Sequence, residues 1–228
     1  MKAKFLVATA VMCLFVPITV QAHVDWDNPS GVADNFNWAN GRNTDTNLFG
    51  SPSYYGGGNL YFNNSSFVTY ANDGSTSQSV TDTLDVDLTA HTDKKFLSVA
   101  VYEYGSYSIT GGAENAVSAT LDMSGTVAGH PMSPFGDAFV FDASGQSGGV
   151  SDWNNNASLL LEFAVPDVTE LHLTVSNTLV AVSDGVGGTA SITGDFVLLG
   201  VSVTVIPEPT SFALLALGGL ALTRRPKR

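Results

Sequence analysis

From Val80 onward the chain alternates apolar and polar residues with a period of two, the spacing that sends successive side chains to opposite faces of a β-strand. Val80, Leu84, Val86 and Leu88 share one face, and Thr81, Thr83, Asp85 and Asp87 share the other. Asp82 interrupts the apolar face, which predicts that the strand has not yet entered the core at that point. Val117, Ala119, Leu121 and Met123 alternate with Ser118, Thr120 and Asp122; Leu171, Leu173 and Val175 alternate with Glu170, His172 and Thr174. The longest such face is Val197, Leu199, Val201, Val203 and Val205. The run from Phe96 to Tyr104 is apolar nearly throughout and suits a central strand. Turn-forming clusters separate these runs: Ala71-Asn72-Asp73-Gly74, Gly111-Gly112, Gly148-Gly149 and Asp184 to Gly188. Helical periodicity is missing, so the pattern predicts an all-β, antiparallel β-sandwich of jelly-roll or Ig-like type over residues 23–206. A parallel β-helix would need a fixed-period repeat, which the chain lacks. Residues 23–58 are rich in Trp, Asn and Gly but alternate little; they are expected to form a loop-rich first layer of the same domain.

The two ends read as addresses. Lys2 and Lys4 precede an apolar run from Phe5 to Val16, Pro17 breaks it, and Val20 and Ala22 sit where a signal peptidase reads its site. Residues 1–22 are therefore expected to be a secretory signal helix, cut between Ala22 and His23. At the other end Pro207-Glu208-Pro209 is followed by an apolar stretch, 212–222, and then by Arg224, Arg225, Lys227 and Arg228. As a helix that stretch reaches only about 16 Å, against a hydrocarbon core of about 30 Å. A short span with a strong basic stop suits a transient membrane contact, with the body left outside.

The segment 207–228 resembles the PEP-CTERM sorting signal in all three of its parts: the Pro-Glu-Pro motif, the short apolar helix and the Arg-rich end. The resemblance implies a bacterium with an outer membrane, an exosortase that recognises and removes the tail, and association with the cell surface or an exopolysaccharide matrix. It implies no activity. Residues 96–206 also look like the bodies of other secreted PEP-CTERM proteins, through Val101-Tyr102-Glu103-Tyr104-Gly105-Ser106-Tyr107 and Leu173-Thr174-Val175-Ser176-Asn177-Thr178-Leu179.

Charge narrows the partners. Residues 23–206 hold twenty acidic side chains and three basic ones, Arg42, Lys94 and Lys95, a net charge of −17. Such a body repels phosphate backbones and excludes nucleic acid as a partner. The sole cysteine, Cys13, lies in the signal segment, so the processed chain has no disulfide or thiol chemistry.

Four constellations could carry chemistry. Gly145-Gln146-Ser147-Gly148-Gly149 matches a nucleophile elbow, but Val150-Ser151-Asp152-Trp153-Asn154 reads as a turn where the elbow requires a helix. The same residues resemble the serine motif of trypsin-like proteases and Leu88-Thr89-Ala90-His91 their histidine motif, at a separation too short for that fold. His23, once N-terminal, offers its amine and imidazole to copper, as in lytic polysaccharide monooxygenases; His91, His130 or His172 would have to meet it. Asp25 and Asp27, among Asn28, Asp34, Asn35 and Asn37, are hard oxygen donors of the kind calcium takes. Asp85 and Asp87 read as solvated. Trp26, Trp38, Tyr54, Tyr55 and Trp153 could stack on sugar rings, Tyr54 and Tyr55 being the ones expected at the surface.

The sequence thus predicts an exported, non-enzymatic surface or matrix protein, associated with exopolysaccharide and without a required cofactor. The alternatives are a calcium-assisted glycan-binding module or a copper polysaccharide monooxygenase built on His23.

Overall fold

A computed structural model describes residues 22–44, 46–72, 76–111, 114–128, 130–144, 148–160, 167–183 and 187–206. The signal helix expected before His23 and the hydrophobic helix expected over 212–222 lie outside the described residues. Twelve strands follow one another: β1 (His23–Asp25), β2 (Gly31–Val32), β3 (Phe36–Thr44), β4 (Ser53–Tyr54), β5 (Asn59–Asn72), β6 (Thr76–Ala90), β7 (Lys94–Thr110), β8 (Ala116–Val127), β9 (His130–Asp142), β10 (Gly148–Leu160), β11 (Glu170–Ser183) and β12 (Thr189–Val205).

All pairings are antiparallel and fall into two sheets. Sheet A has the order β1-β3-β6-β11-β8-β9, with β2 paired to β3; sheet B has the order β10-β7-β12-β5-β4. From β5 onward consecutive strands alternate between the sheets, except that β8 and β9 share sheet A. The last two strands insert between earlier ones: β11 between β6 and β8, and β12 between β5 and β7. This interleaving of β6-β11-β8-β9 with β10-β7-β12-β5 is the jelly-roll order. An Ig-like sandwich, in which several successive strands share a sheet, does not have it. Residues 23–58 are less loop-like than their sequence suggests, since β1, β2 and β3 widen sheet A and β4 widens sheet B.

Period-two alternation builds the core. In β11 every second residue from Leu171 to Ser183 is buried, and in β8 the same holds from Val117 to Val127. Each fully buried Leu or Phe contributes roughly 1.5–3 kcal/mol. The apolar side chains form two clusters, one around Leu84, Val86, Val99, Leu173 and Leu199, the other around Phe67, Ile109, Trp153, Leu179 and Ile192.

A polar layer separates those clusters. Asp82 and Asn177 are paired across β6 and β11, Glu103 and Asn155 across β7 and β10, and all four are buried. Two sequence expectations are corrected here. Asp82 is inside the core rather than before it: it accepts from Thr44 Oγ1, from Thr46 Oγ1 at 2.9 Å, and from the backbone N–H groups of Leu48 at 2.5 Å and Phe49 at 3.0 Å. A carboxylate here satisfies donors that the turn after β3 would otherwise bury unpaired. The run from Phe96 to Tyr104 lies in β7, an interior strand paired to β10 and β12 as expected, with Val99, Val101 and Glu103 pointing inward and Tyr102 and Tyr104 pointing out. Gly148 and Gly149, expected as a turn, begin β10, which continues through the residues 150–154 expected as a turn.

Candidate functional site

The three tryptophans proposed for sugar stacking are buried, each laid over a glycine. Trp26 covers Gly41, Trp38 covers Gly31 and Trp153 covers Gly105. Their indole N–H groups are used internally: Trp26 donates to Asn43 Oδ1 at 2.9 Å, Trp38 to the Asn28 carbonyl at 3.3 Å and Trp153 to the Thr193 carbonyl at 3.1 Å. None presents a ring face to a ligand. Tyr54 is half-buried, packs 6.2 Å from Trp38 and accepts from the Asp34 N–H at 2.9 Å. Tyr55 is 77% exposed, as the sequence suggested.

Tyr55 is the outer end of a row that pattern reading missed. It meets Tyr61 edge-on at 5.8 Å; Tyr61 stacks on Phe196 at 5.2 Å, and Phe196 stacks on Tyr104 at 4.7 Å. The last two spacings are close to the distance between strands, so the rings stand on the outer face of sheet B and face one another across β5, β12 and β7. Beyond Tyr104 the row stops, because its partner on β10 is Asn154. Tyr102 repeats the arrangement two residues earlier, between Leu198 on β12 and Asn156 on β10. Tyr102 is 39% and Tyr104 40% exposed, while Asn154, Asn156 and Ser158 are exposed beside them. The result is a step: an aromatic riser on β7 above a floor of amides and a hydroxyl on β10. A shallow groove of about 270 Å³ continues from Tyr102 past Ser98, Ala100, Gly200 and Asn59.

Glu103 stands between the two step tyrosines and points the opposite way, into the core. Burial raises its pKa to about 8, although the hydrogen bond from Asn177 Nδ2 favours the carboxylate. The carboxyl therefore holds its proton at neutral pH. Among the described residues, Glu103 Oε2, Asn155 Oδ1 and Asn177 Oδ1 are buried without a hydrogen-bond partner, and a protonated Glu103 has one O–H to donate.

The outer face of sheet A is polar. Asp85 and Asp87 are not simply solvated but cross-linked to neighbouring strands. His172 Nδ1 lies 2.7 Å from Asp87 and its Nε2 lies 3.8 Å from Asp85; Thr174 donates to Asp85 at 2.7 Å and Asn40 to Asp87 at 2.6 Å. Burial pushes the Asp87 carboxyl up, but the hydrogen bonds from Asn40 and His172 and the charges of His172 and Arg42 outweigh it, leaving a net lowering. A cavity of about 440 Å³ lies beside this cluster. Both ring nitrogens of His172 face carboxylates, so the cluster ties β6 to β11.

The candidate histidines are spread over sheet A. His23 pairs with Thr44, whereas His91 follows Ala90, the partner of Phe36 at the opposite end of β3. By strand rise that is roughly 26 Å. His172 is held by Asp87, and His130 lies on β9 at the far edge of sheet A. Among the described residues the strand positions of the other histidines do not bring one beside His23. Asp25 pairs with Arg42 across β1 and β3, and the Asp27 N–H donates to Ser51 Oγ at 2.7 Å. Among the described residues no group of three His, Cys, Asp or Glu could hold a metal ion. Ser147 and the motif residues 207–209 lie outside the described residues; the segment after Ser147 is β10, not the helix a nucleophile elbow needs.

Fold and site together define an antiparallel jelly-roll sandwich with an aromatic step on one outer face. Residues 205–228 match the family model of the PEP-CTERM protein-sorting motif. The chain therefore carries this sorting signal, which marks it for export to the cell envelope or surface and for exosortase processing. A search of curated proteins finds no sequence match. Among solved structures the chain is similar to the carbohydrate-binding module TmCBM61 in complex with beta-1,4-galactotriose, at 12% identity and a TM-score of 0.25, over 76% of this chain and 96% of that one. It is similar to infectious bursal disease virus, Gx strain, at 12% identity and a TM-score of 0.27, over 77% of this chain and 51% of that one. Eiger TNF from S. frugiperda follows at 12% and 0.26, over 66% and 95%. At these TM-scores no fold or ligand is transferred.

Proposed function

We propose that the protein is a non-catalytic component of the outer surface or extracellular matrix, in a bacterium with an outer membrane, and that it holds exopolysaccharide against the aromatic step. The observation that supports this reading is the pair Tyr102 and Tyr104, two solvent-facing rings on one strand above the exposed amides of Asn154 and Asn156. A pyranose has an apolar C–H face and a polar rim, and the step offers an aromatic face beside a row of amides. Exosortase removal of the tail after export leaves the jelly roll free to meet the matrix.

The test is retardation of the purified protein in gels containing polysaccharide. Tyr104→Ala and Tyr102→Ala should each weaken binding roughly five- to thirtyfold, equivalent to about 1–2 kcal/mol. Circular dichroism should show the sandwich intact in both variants. Unchanged retardation in the double variant would rule out the step as the contact surface.

A further inference from the structure

The charge and polar chemistry around the step select among polysaccharides. Every basic side chain of residues 23–206 is committed elsewhere: Arg42 lies 3.6 Å from Asp85 on sheet A, Lys94 donates to Asn35 at 2.6 Å, and Lys95 pairs with Asp167 at 2.8 Å. Lys95 and Tyr102 are seven positions apart on β7, roughly 23 Å along the strand. That exceeds the screening length of about 8 Å at physiological salt. The charges that flank the step are negative: Asp152 lies two residues before Asn154 on β10, and Asp195 precedes Phe196 at the irregularity in β12. Both carboxylates are exposed.

The floor groups point the same way. Asn154 and Asn156 each offer two N–H donors and a carbonyl acceptor, and Ser158 offers a hydroxyl. Sugar hydroxyls also donate and accept, so they can use both halves of an amide. A carboxylate or sulfate only accepts, so it uses the N–H half of each amide and not the carbonyl half, and it meets the negative charges of Asp152 and Asp195. The spacing sets the direction. Tyr102 and Tyr104 are separated by two residues, about 6.7 Å along β7, so rings on successive positions would follow the strand rather than cross it.

We infer that the step binds an uncharged polysaccharide, its chain lying along β10 with pyranose faces against Tyr102 and Tyr104 and its hydroxyls on Asn154 and Asn156. This inference rests on the glycan reading above, and the experiment separates the two. The purified protein is run in gels containing polymers matched in backbone but not in charge: hydroxyethyl cellulose against carboxymethyl cellulose, and β-1,4-galactan against polygalacturonate. Runs are made at about 0.02 M and about 0.5 M salt, where screening differs severalfold, with EDTA and with Ca²⁺. The expected result is retardation by at least one neutral polymer, lost in Tyr104→Ala, with its anionic counterpart at least tenfold weaker at low salt. High salt should narrow that gap. Equal or tighter binding of the anionic member, with EDTA or through added Ca²⁺, would overturn the inference while leaving the glycan reading in place. Retardation by none of the four would overturn both.

Discussion

Glu103 is the one charged residue in an apolar run, and the fold turns it inward beneath the step. Its folded-state pKa of about 8 lies above the ordinary value of 4.5. Between those values the folded state keeps a proton that the unfolded state releases, so stability falls as pH rises through this window and levels off above it. Glu103→Gln removes this dependence. The variant should match the parent near pH 4 and gain thermal stability over it at pH 8–9; a parent-like slope in the variant would show that Glu103 is not the group responsible. Asp87 works in the opposite sense. Its lowered pKa contributes stability present above the ordinary carboxylate value and lost as pH falls, so the acid side of the profile should survive in Glu103→Gln. Among the described residues Asp82 is the other buried carboxylate, and it anchors the turn after β3 through Thr44, Thr46, Leu48 and Phe49. Asp82→Ala leaves those donors unpaired and should cost roughly 3 kcal/mol or more, measured by chemical denaturation, with Asp82→Asn losing less.

At the scale of the strand, the tryptophan–glycine pairs decide how closely neighbouring elements approach. A Cβ at Gly105 would lie 1.9 Å from the Thr193 carbonyl oxygen and 2.6 Å from Trp153 Nε1, so backbone as well as side chain must move. At Gly41 the obstacle is the Trp26 ring, at 2.0 Å. Overpacking of this kind costs about 1–3 kcal/mol. Gly105→Ala should fall at the upper end because a backbone oxygen cannot rotate away. Thermal melts check the order: Gly105→Ala below Gly41→Ala, and both below the parent. The glycines are plain in the sequence, but their role is not. A period-two pattern marks which face a residue occupies and says nothing about which ring from a neighbouring strand will cover it.

The whole molecule cannot close until its end arrives. β11 and β12 are the last of the described strands, and each is hydrogen-bonded on both sides to earlier strands, β6 with β8 and β5 with β7. Long-range pairing of this kind folds slowly, because loop closure precedes most of the contacts that repay it. A chain stopped after Ser183 would lack β12 and leave β5 and β7 unpaired on that side. It should lose the cooperative unfolding transition that the full chain shows, as calorimetry would reveal. The matched sorting segment begins at residue 205, where β12 ends, so the strand that completes sheet B leads directly into the export signal.

Fold class was legible in the sequence because alternation is a local property: β8 and β11 bury alternate residues where the pattern predicts. The sorting motif was legible for the same reason, being a contiguous segment matched at 205–228. The aromatic step was not. Tyr61, Phe196 and Tyr104 come from three strands, and only the interleaved sheet order brings them face to face. The tryptophans were the converse case, conspicuous in composition yet buried over glycines that no nearest-neighbour rule pairs with them. Asp82 was misplaced because a carboxylate on an apolar face is costly unless donors converge on it, and those donors come from Thr44 to Phe49, more than thirty positions away along the chain. Sequence settles what each strand shows to its two sides; tertiary structure decides what it meets there, since sheet order and register are set by the packing of the whole chain.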